Sequence, residues 1–163
     1  MTKWGLSATI KAPVTEILGF AAHHLELGAH RLYIYLDEPN PEALALLKAH
    51  PKIRVRTCDD AYWRKSNRKR PAKHQLRQTH NATHAYARRA EVDWLIHIDV
   101  DEYLWPDRTV TETLTALPGA VHCARVRPIE ALAGTRTLFK GFIRPAPSAQ
   151  QRLPGSIRLM ALL

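Results

Sequence analysis

Short runs of branched and aromatic residues alternate with helical segments in this chain, and this alternation limits the possible folds more than any other feature. The runs typical of strands are Trp4 to Lys11, Arg31 to Leu36, Ile53 to Thr57 and Asp93 to Ile98. Strands joined by helices form crossovers that are right-handed in nearly all cases. The sequence therefore predicts an α/β fold with a mostly parallel central sheet.

The segments between these strands carry signals for the start and the end of helices. Helices are predicted over residues 13–27, 41–49 and 74–90, with a long basic loop over residues 58–73. Gly28 follows the first helix at a position where a left-handed backbone is favoured. Asn40 is expected to cap the second helix, with Pro41 at its first position.

The pattern is looser in the C-terminal part of the chain. A helix is predicted over Thr109 to Leu117, a turn at Pro118-Gly119, and strands over Ala120 to Arg127 and Leu138 to Pro145. No element is predicted from Ala146 onward. Since no repeat or low-complexity linker divides the chain, residues 1–163 are interpreted as one domain.

Ligands of open α/β sheets bind outside the carboxyl ends of the strands. The residues that directly follow the predicted strands are Lys11, Asp37, Cys58 to Asp60 and Asp99 to Glu102. These positions are therefore the first candidates for a functional site.

Three carboxylates follow the last of these strands, which is nearly all apolar, as expected for the centre of a parallel sheet. In extended backbone, Asp99 and Asp101 point to the same side, and their repulsion must be offset. Mg²⁺ or Mn²⁺ would do so, because these ions prefer oxygen ligands from carboxylates and phosphates. The other interpretation is a solvated acidic loop, and the residues alone leave both open.

The charge balance and the cysteines limit the partners and the compartment. With 24 Lys and Arg against 15 Asp and Glu, the net charge is +9, which favours polyanionic partners. Cys58 and Cys123 match no metal or redox spacing, so both are expected to be free, buried thiols. Without a long apolar run or a secretory pattern at the N-terminus, the protein is expected in the cytoplasm.

Two further features have alternative interpretations. The basic run from Arg64 to Lys73 is interpreted either as a solvated loop or as a site for phosphate, an anionic acceptor or a membrane surface. Nucleic acid is the less favoured partner, since no sequence-reading module accompanies the run. His80 and His84 have a spacing that can chelate zinc on a helix, but a partly exposed helix face is favoured because no third ligand is evident.

Four ordered blocks together resemble bacterial family-2-like glycosyltransferases and the related family-92-like enzymes. The blocks are Glu16 to Tyr35, Gln75 to Tyr86, Ile98 to Leu104 (IDVDEYL) and Phe139 to Pro145 (FKGFIRP). The resemblance implies a GT-A-type, Rossmann-like domain that transfers a sugar from a nucleotide-sugar donor with Mn²⁺ or Mg²⁺. It implies that Asp101 binds the metal, that Asp99 binds metal or donor, and that Lys11, Asp37 and Gln75 contact the nucleotide-sugar.

The chain departs from the family pattern in three places. Ala12-Pro13 replace the Asn-Glu or Asp-Glu pair that usually follows Lys11, and Glu38-Pro39 alter the loop that follows Asp37. No acceptor-side catalytic base is recognisable before Leu163, so the domain is expected to be incomplete at its C-terminal end. The acceptor, whether glycan or lipid, stays open. The alternatives are a degenerate sugar-nucleotide binder and a non-catalytic basic protein that binds nucleic acid or anionic surfaces.

Overall fold

A computed structural model describes residues 1–66, 69–88, 91–130, 132, 139 and 157–161. The chain divides into two units, Thr2–Val100 and Asp101–Leu163 together with Met1. The elements of the first unit are β1 (Trp4–Ile10), α1 (Val14–Glu26), β2 (Arg31–Leu36), α2 (Pro41–Ala49), β3 (Ile53–Thr57), α3 (Asp60–Lys65), α4 (His74–Ala87) and β4 (Trp94–His97). Those of the second unit are β5 (Glu102–Pro106), α5 (Val110–Thr115), β6 (Arg127–Glu130) and β7 (Ile157–Ala161).

The first unit is built on a four-stranded, all-parallel sheet in the order β3-β2-β1-β4. In the register of this sheet, Leu6 of β1 lies opposite Leu32 of β2 and Ile96 of β4. Helices connect the strands, as parallel pairing requires. The predicted α/β fold with a parallel sheet is confirmed.

The prediction that the strand before the acidic cluster is central is wrong for the part of the chain that the structure describes. There, β4 pairs only with β1 and forms an edge, and Trp94, Leu95 and Ile96 are half-buried. The inner strand β1 is buried at all seven positions although it contains Gly, Ser and Thr. Apolar composition indicates how well the faces of a strand are covered, whereas its place in the sheet depends on the pairing of its two edges.

The caps of the first two helices follow the sequence signals. Gly28 has a φ of 94°, the left-handed conformation that a residue with a side chain rarely adopts. Asn40 accepts a hydrogen bond on Oδ1 from the backbone N–H of Ala43 at 3.0 Å, and Pro41 begins α2. These residues end α1 and start α2, so β2 is held between two well-defined turns.

The predicted basic loop contains a helix that the sequence analysis missed. Asp59 caps α3 by accepting a hydrogen bond from the backbone N–H of Tyr62 at 2.8 Å, and Trp63 is buried. The cap at Asp59 and the buried side chain of Trp63 thus order a segment whose composition is typical of a solvent-exposed loop. The following helix, α4, ends at Ala87 rather than at Ala90, because the backbone of Arg88 is extended.

The second unit contains a three-stranded sheet in the order β5-β7-β6, in which β7 is antiparallel to β5 and parallel to β6. A capping box of Thr109 and Glu112 starts α5, which confirms the predicted helix with shorter bounds. The predicted turn at Pro118-Gly119 is also found, since the N–H of Val121 donates to the carbonyl of Pro118 at 2.8 Å.

The predicted strand over residues 120–127 is wrong: residues 121–126 are not in a strand, and β6 begins at Arg127. The alternating residues there do not face a core, because residues 122–125 are all exposed. For the same reason Cys123 is exposed, which corrects the expectation of two buried thiols.

The predicted strand from Leu138 to Pro145 lies outside the described residues apart from Phe139. Within the described residues, no helix is long and apolar enough to cross a membrane.

Gly5 is required by the close approach of β1 to β2. A Cβ at this position would overlap the carbonyl oxygen of Arg31, which is backbone and cannot move aside. We expect Gly5→Ala to lower the free energy of unfolding by about 2 kcal/mol or more. Gly119→Ala, where a Cβ would meet open space, is the control and should change it by less than about 0.5 kcal/mol. Urea unfolding of both variants measures the difference, and equal stabilities would contradict this explanation.

The burial of His24 makes stability depend on pH. Its side chain is fully buried on α1, and desolvation lowers its pKa from 6.5 to about 4 despite a hydrogen bond to the carbonyl of Phe20. Since the unfolded chain binds a proton first, the contribution of His24 is complete above pH 6.5 and is lost as the pH falls toward 4. We expect that loss to approach roughly 3 kcal/mol.

His24→Gln tests this expectation, because the amide can still donate to Phe20 but does not titrate. Chemical unfolding of the variant at pH 7, 6, 5 and 4 should show a weaker decline in stability than that of the wild type. His50→Gln, at the half-exposed end of α2, is the control and should decline as the wild type does. A His24→Gln curve parallel to that of the wild type would refute the role of His24.

Candidate active site

Three of the candidate residues lie at one edge of the first unit's sheet. Lys11 follows β1, Asp37 follows β2, and Asp99 follows β4 after one further residue. These strands are parallel, so their carboxyl ends meet at the same edge. The N–H of Asp37 donates to the carbonyl of Ile10 at 2.8 Å, which continues the pairing of β1 with β2 to this edge. The candidates thus share the edge where ligands of such sheets bind.

Asp37 is buried, with 2% of its surface exposed, and its carboxylate is bound by Arg77 of α4. The Arg77 Nε donates to Oδ1 at 2.8 Å and Nη2 donates to Oδ2 at 2.7 Å, a two-pronged arrangement. Burial alone would raise the pKa of Asp37, but the hydrogen bonds and charges of Arg77 and Arg70 outweigh it and lower the pKa below its usual value. The carboxylate is therefore ionised and already paired with a cation.

The same ion pair fastens the basic segment, here defined as residues 64–73, to the sheet edge. Arg70 Nη2 lies 2.8 Å from the backbone carbonyl of Asp37 and 3.1 Å from its Oδ1. Arg77 Nη1 donates to the carbonyls of Pro71 and Ala72 at 2.9 and 2.7 Å. The interpretation of this segment as a purely solvated loop does not hold for Arg70 to Ala72, which are attached at these points.

Lys11 is exposed and forms an ion pair with Glu38, with 2.6 Å between Nζ and Oε1. The pair borders a shallow cleft of about 80 Å³ between the ends of β1 and β2. Its lining is formed by Ile10, Lys11, Ala12, Ile17, Leu36, Glu38, Pro39 and Asn40. The residues in which this chain departs from the family pattern, Ala12 and Pro39, therefore form part of the wall of the cleft.

Asp99 contacts a residue that the sequence analysis did not single out. The Nε2 of Gln78 on α4 donates a hydrogen bond to Oδ1 of Asp99. Gln78 is 9% exposed and Asp99 is half-buried. Gln75, the predicted donor contact on the same helix, is exposed. Asp101 belongs to the second unit and is exposed, so its common face with Asp99 stays a prediction.

Asn81, fully buried on α4, connects this helix to β1 and α3. Its Nδ2 donates to Oγ1 of Thr9 at 3.0 Å, and its Oδ1 accepts from the Tyr62 hydroxyl at 2.7 Å. Nδ2 also lies 3.5 Å from Sγ of Cys58, whose pKa burial raises to about 12. This thiol is therefore protonated at neutral pH and serves as part of the core.

The two histidines of α4 pack against aromatic rings. The Nδ1 of His84 and the hydroxyl of Tyr35 are hydrogen-bonded at 2.7 Å, and the ring centroid of His80 lies 5.0 Å from that of Trp63. Both histidines are half-buried, as the helix-face interpretation predicted. Among the described residues, no three His, Cys, Asp or Glu side chains are grouped to hold a metal ion.

Arg77, Gln78 and Asn81 are the residues that sequence reasoning missed at this site. Their spacing of one and three residues places them on one side of a helix, and Ala85 continues that side. The available signal for these contacts was the presence of three large polar residues on one side of a helix. Polarity on a helix normally indicates solvent, so the signal could be interpreted only with knowledge of the acidic and hydroxyl partners.

Comparison with known proteins gives one match. The family description "Glycosyltransferase family 92" matches residues 9–120, a stretch that runs from the last two residues of β1 to beyond α5 and includes all the candidate site residues. No curated protein and no solved structure matches the chain.

The buried ion pair should matter more for stability than the exposed one beside it. We expect Arg77→Met to lower the free energy of unfolding by about 3 kcal/mol, because it leaves the Asp37 carboxylate buried without its main partner. Glu38→Gln breaks the exposed pair with Lys11 and should cost less than about 1 kcal/mol. Thermal and urea unfolding of both variants provide the comparison. Similar losses in the two variants would contradict a structural role for the Asp37–Arg77 pair.

Proposed function

Because the chain belongs to glycosyltransferase family 92 and carries a glycosyltransferase domain, we propose that it transfers a sugar from a nucleoside diphosphate sugar through a GT-A-type, metal-dependent site. In this proposal Asp99 and Asp101 form a D-x-D motif that holds Mn²⁺ or Mg²⁺. The observation that carries the proposal is the position of Asp99, which follows β4 at the carboxyl edge of a parallel sheet. Lys11 follows the neighbouring strand β1, and Asp37 follows β2, the next strand in the sheet.

The chemistry of these residues suits a hard divalent cation. Carboxylate oxygens are the protein ligands that Mg²⁺ and Mn²⁺ prefer, and such ions are commonly held by only one or two carboxylates. In the proposed site, substrate phosphates and water would complete the ligands of the cation. Such a cation neutralises the charge that develops on the departing diphosphate.

The cleft beside Lys11 suits the nucleotide part of the donor. Lys11 is the exposed cation at its border and can bind a phosphate or hydroxyl oxygen once it leaves Glu38. Asp37 contributes by holding Arg70 and the start of the loop after β2, since both of its carboxylate oxygens are already engaged by Arg77. Gln75, exposed in the first turn of α4, is available for a direct contact with the donor.

The acceptor side of the site is less defined than the donor side. Arg64, Lys65, Lys69 and Lys73 of the basic segment are exposed, so they can attract an anionic glycan, a lipid headgroup or an anionic membrane surface. The net charge of +9 acts in the same direction. The class of acceptor is the part of this proposal that binding experiments with anionic glycans and vesicles would define.

The D-x-D motif is tested by removing one charge at a time. We expect Asp101→Asn to weaken Mn²⁺-dependent binding of UDP or GDP about ten- to a hundredfold, because Asn keeps an oxygen but not the charge that holds the cation. Asp93→Asn, which precedes β4 at the opposite edge of the sheet, is the control and should bind like the wild type. Isothermal titration with Mn²⁺ and with chelator measures both variants.

The outcomes separate the proposed enzyme from its alternatives. Binding by Asp101→Asn as tight as that of the wild type in Mn²⁺ would remove the metal-site proposal. Tight, metal-dependent binding by the wild type without hydrolysis or transfer of any donor sugar would indicate a degenerate sugar-nucleotide binder. Salt-sensitive binding of oligonucleotides that ignores Mn²⁺ would favour the non-catalytic basic protein.

A further inference from the structure

The two acidic residues that follow β2 and β4 have partners of different charge, although both partners lie on α4. Asp37 is bound by the guanidinium of Arg77, which cancels its charge. Asp99 accepts its hydrogen bond from the side-chain amide of Gln78, which is neutral. Arg77 and Gln78 are adjacent in sequence, so neighbouring positions of one helix give one carboxylate a cationic partner and the other a neutral hydrogen-bond donor.

A neutral donor is the partner expected for a carboxylate that must also bind a cation. An arginine at this place would compete with the metal for the negative charge, and an apolar residue would leave the orientation of the carboxylate free. The amide of Gln78 binds Oδ1 and restricts the rotation of the Asp99 side chain without lowering its charge. Hydrogen-bonded partners of ligating carboxylates commonly contribute to metal affinity in this way.

The amide of Gln78 is itself held in a fixed position. Its side chain is buried, and the residues on either side of it along the helix face, Arg77 and Asn81, are bonded to Asp37 after β2 and to Thr9 of β1. Two independent attachments of α4 to the sheet thus set the position of the amide beside Asp99. Because the amide of Gln78 is held in place, its hydrogen bond can fix the orientation of the Asp99 carboxylate.

We propose that Gln78 is a positioning residue that orients the carboxylate of Asp99 for a divalent cation and the diphosphate of the donor. This inference rests on the proposed function, since it assigns to Asp99 the role of a metal ligand. It adds a residue on α4 to the site, outside the D-x-D motif.

The test compares substitutions of Gln78 in two backgrounds. Gln78→Met keeps the size of the side chain but removes the donor, and we expect it to raise the dissociation constant of Mn²⁺ in the presence of UDP about ten- to a hundredfold. In Gln78→Asn the side chain is one methylene shorter, so its amide cannot reach Asp99 in the same way, and Mn²⁺ binding should weaken as well. This variant provides the test if Gln78→Met folds poorly. Thr83→Val, at an exposed position of the same helix outside the proposed site, is the control and should leave Mn²⁺ binding unchanged.

The second background identifies the route of the effect. If Gln78 acts through Asp99, Gln78→Met should have no further effect on Mn²⁺ binding when Asp99→Asn is already present, because the two changes are then not additive. Electron paramagnetic resonance of free Mn²⁺ measures binding, and circular dichroism at increasing temperature shows that each variant is folded. A purely structural role would lower the melting temperature and would change Mn²⁺ binding equally in both backgrounds.

Two results would refute the positioning role of Gln78 alone, and a third would also refute the proposed metal site. If the wild type binds Mn²⁺ with UDP and Asp101→Asn does not, but folded Gln78→Met binds like the wild type, the positioning role fails while the proposed function stands. Equal effects of Gln78→Met with and without Asp99→Asn also refute it. If the wild type itself shows no Mn²⁺-dependent binding, both the proposed metal site and the role of Gln78 fail.

Discussion

The polar side of α4 that packs on the sheet is the constraint on which the first unit depends. Buried polar groups are costly unless each finds a hydrogen-bonding partner, and here the partners are supplied by the strands and the residues that follow them. Arg77 binds Asp37, Asn81 binds Thr9, and Gln78 binds Asp99. Because each bond has its own geometry, the helix can lie on the sheet in only one register. An apolar helix face would have packed with less precision.

This mode of packing also explains how stability and function can share one helix. Only one of the three contacts joins a full cation to a carboxylate, and that contact attaches the basic segment through Arg70 to Ala72. The contact to Asp99 comes from the neutral amide of Gln78. In the proposed function, fixed cations would attract the diphosphate of the donor, and the carboxylate of Asp99 would bind the metal.

Most of the first unit could be predicted from the sequence, because its local signals agree with one another. Gly28 and Asn40 end and begin helices through their own backbone and side-chain chemistry, and β2 and β3 are found at their predicted bounds. The helix α3 was missed because a single buried residue, Trp63, orders a segment that is otherwise typical of solvent. The edge position that β4 has among the described strands was missed because composition does not encode the pairing of strands. The roles of Arg77 and Gln78 depend on partners distant in the chain, which no local pattern contains.

The parallel pairing of β1 with β4 has a consequence for the order of folding. The N–H of Lys3 donates to the carboxylate of Asp93, two groups separated by 90 residues, and β1 then continues beside β4. Closing so long a loop costs more entropy than joining β1 to β2 or β2 to β3, so this pairing is expected to form late. The strand that leads to Asp99 is therefore among the last parts of the sheet to assemble. A chain arrested during folding would contain the cleft at β1 and β2 before the strand that carries Asp99, the proposed metal ligand, had joined the sheet.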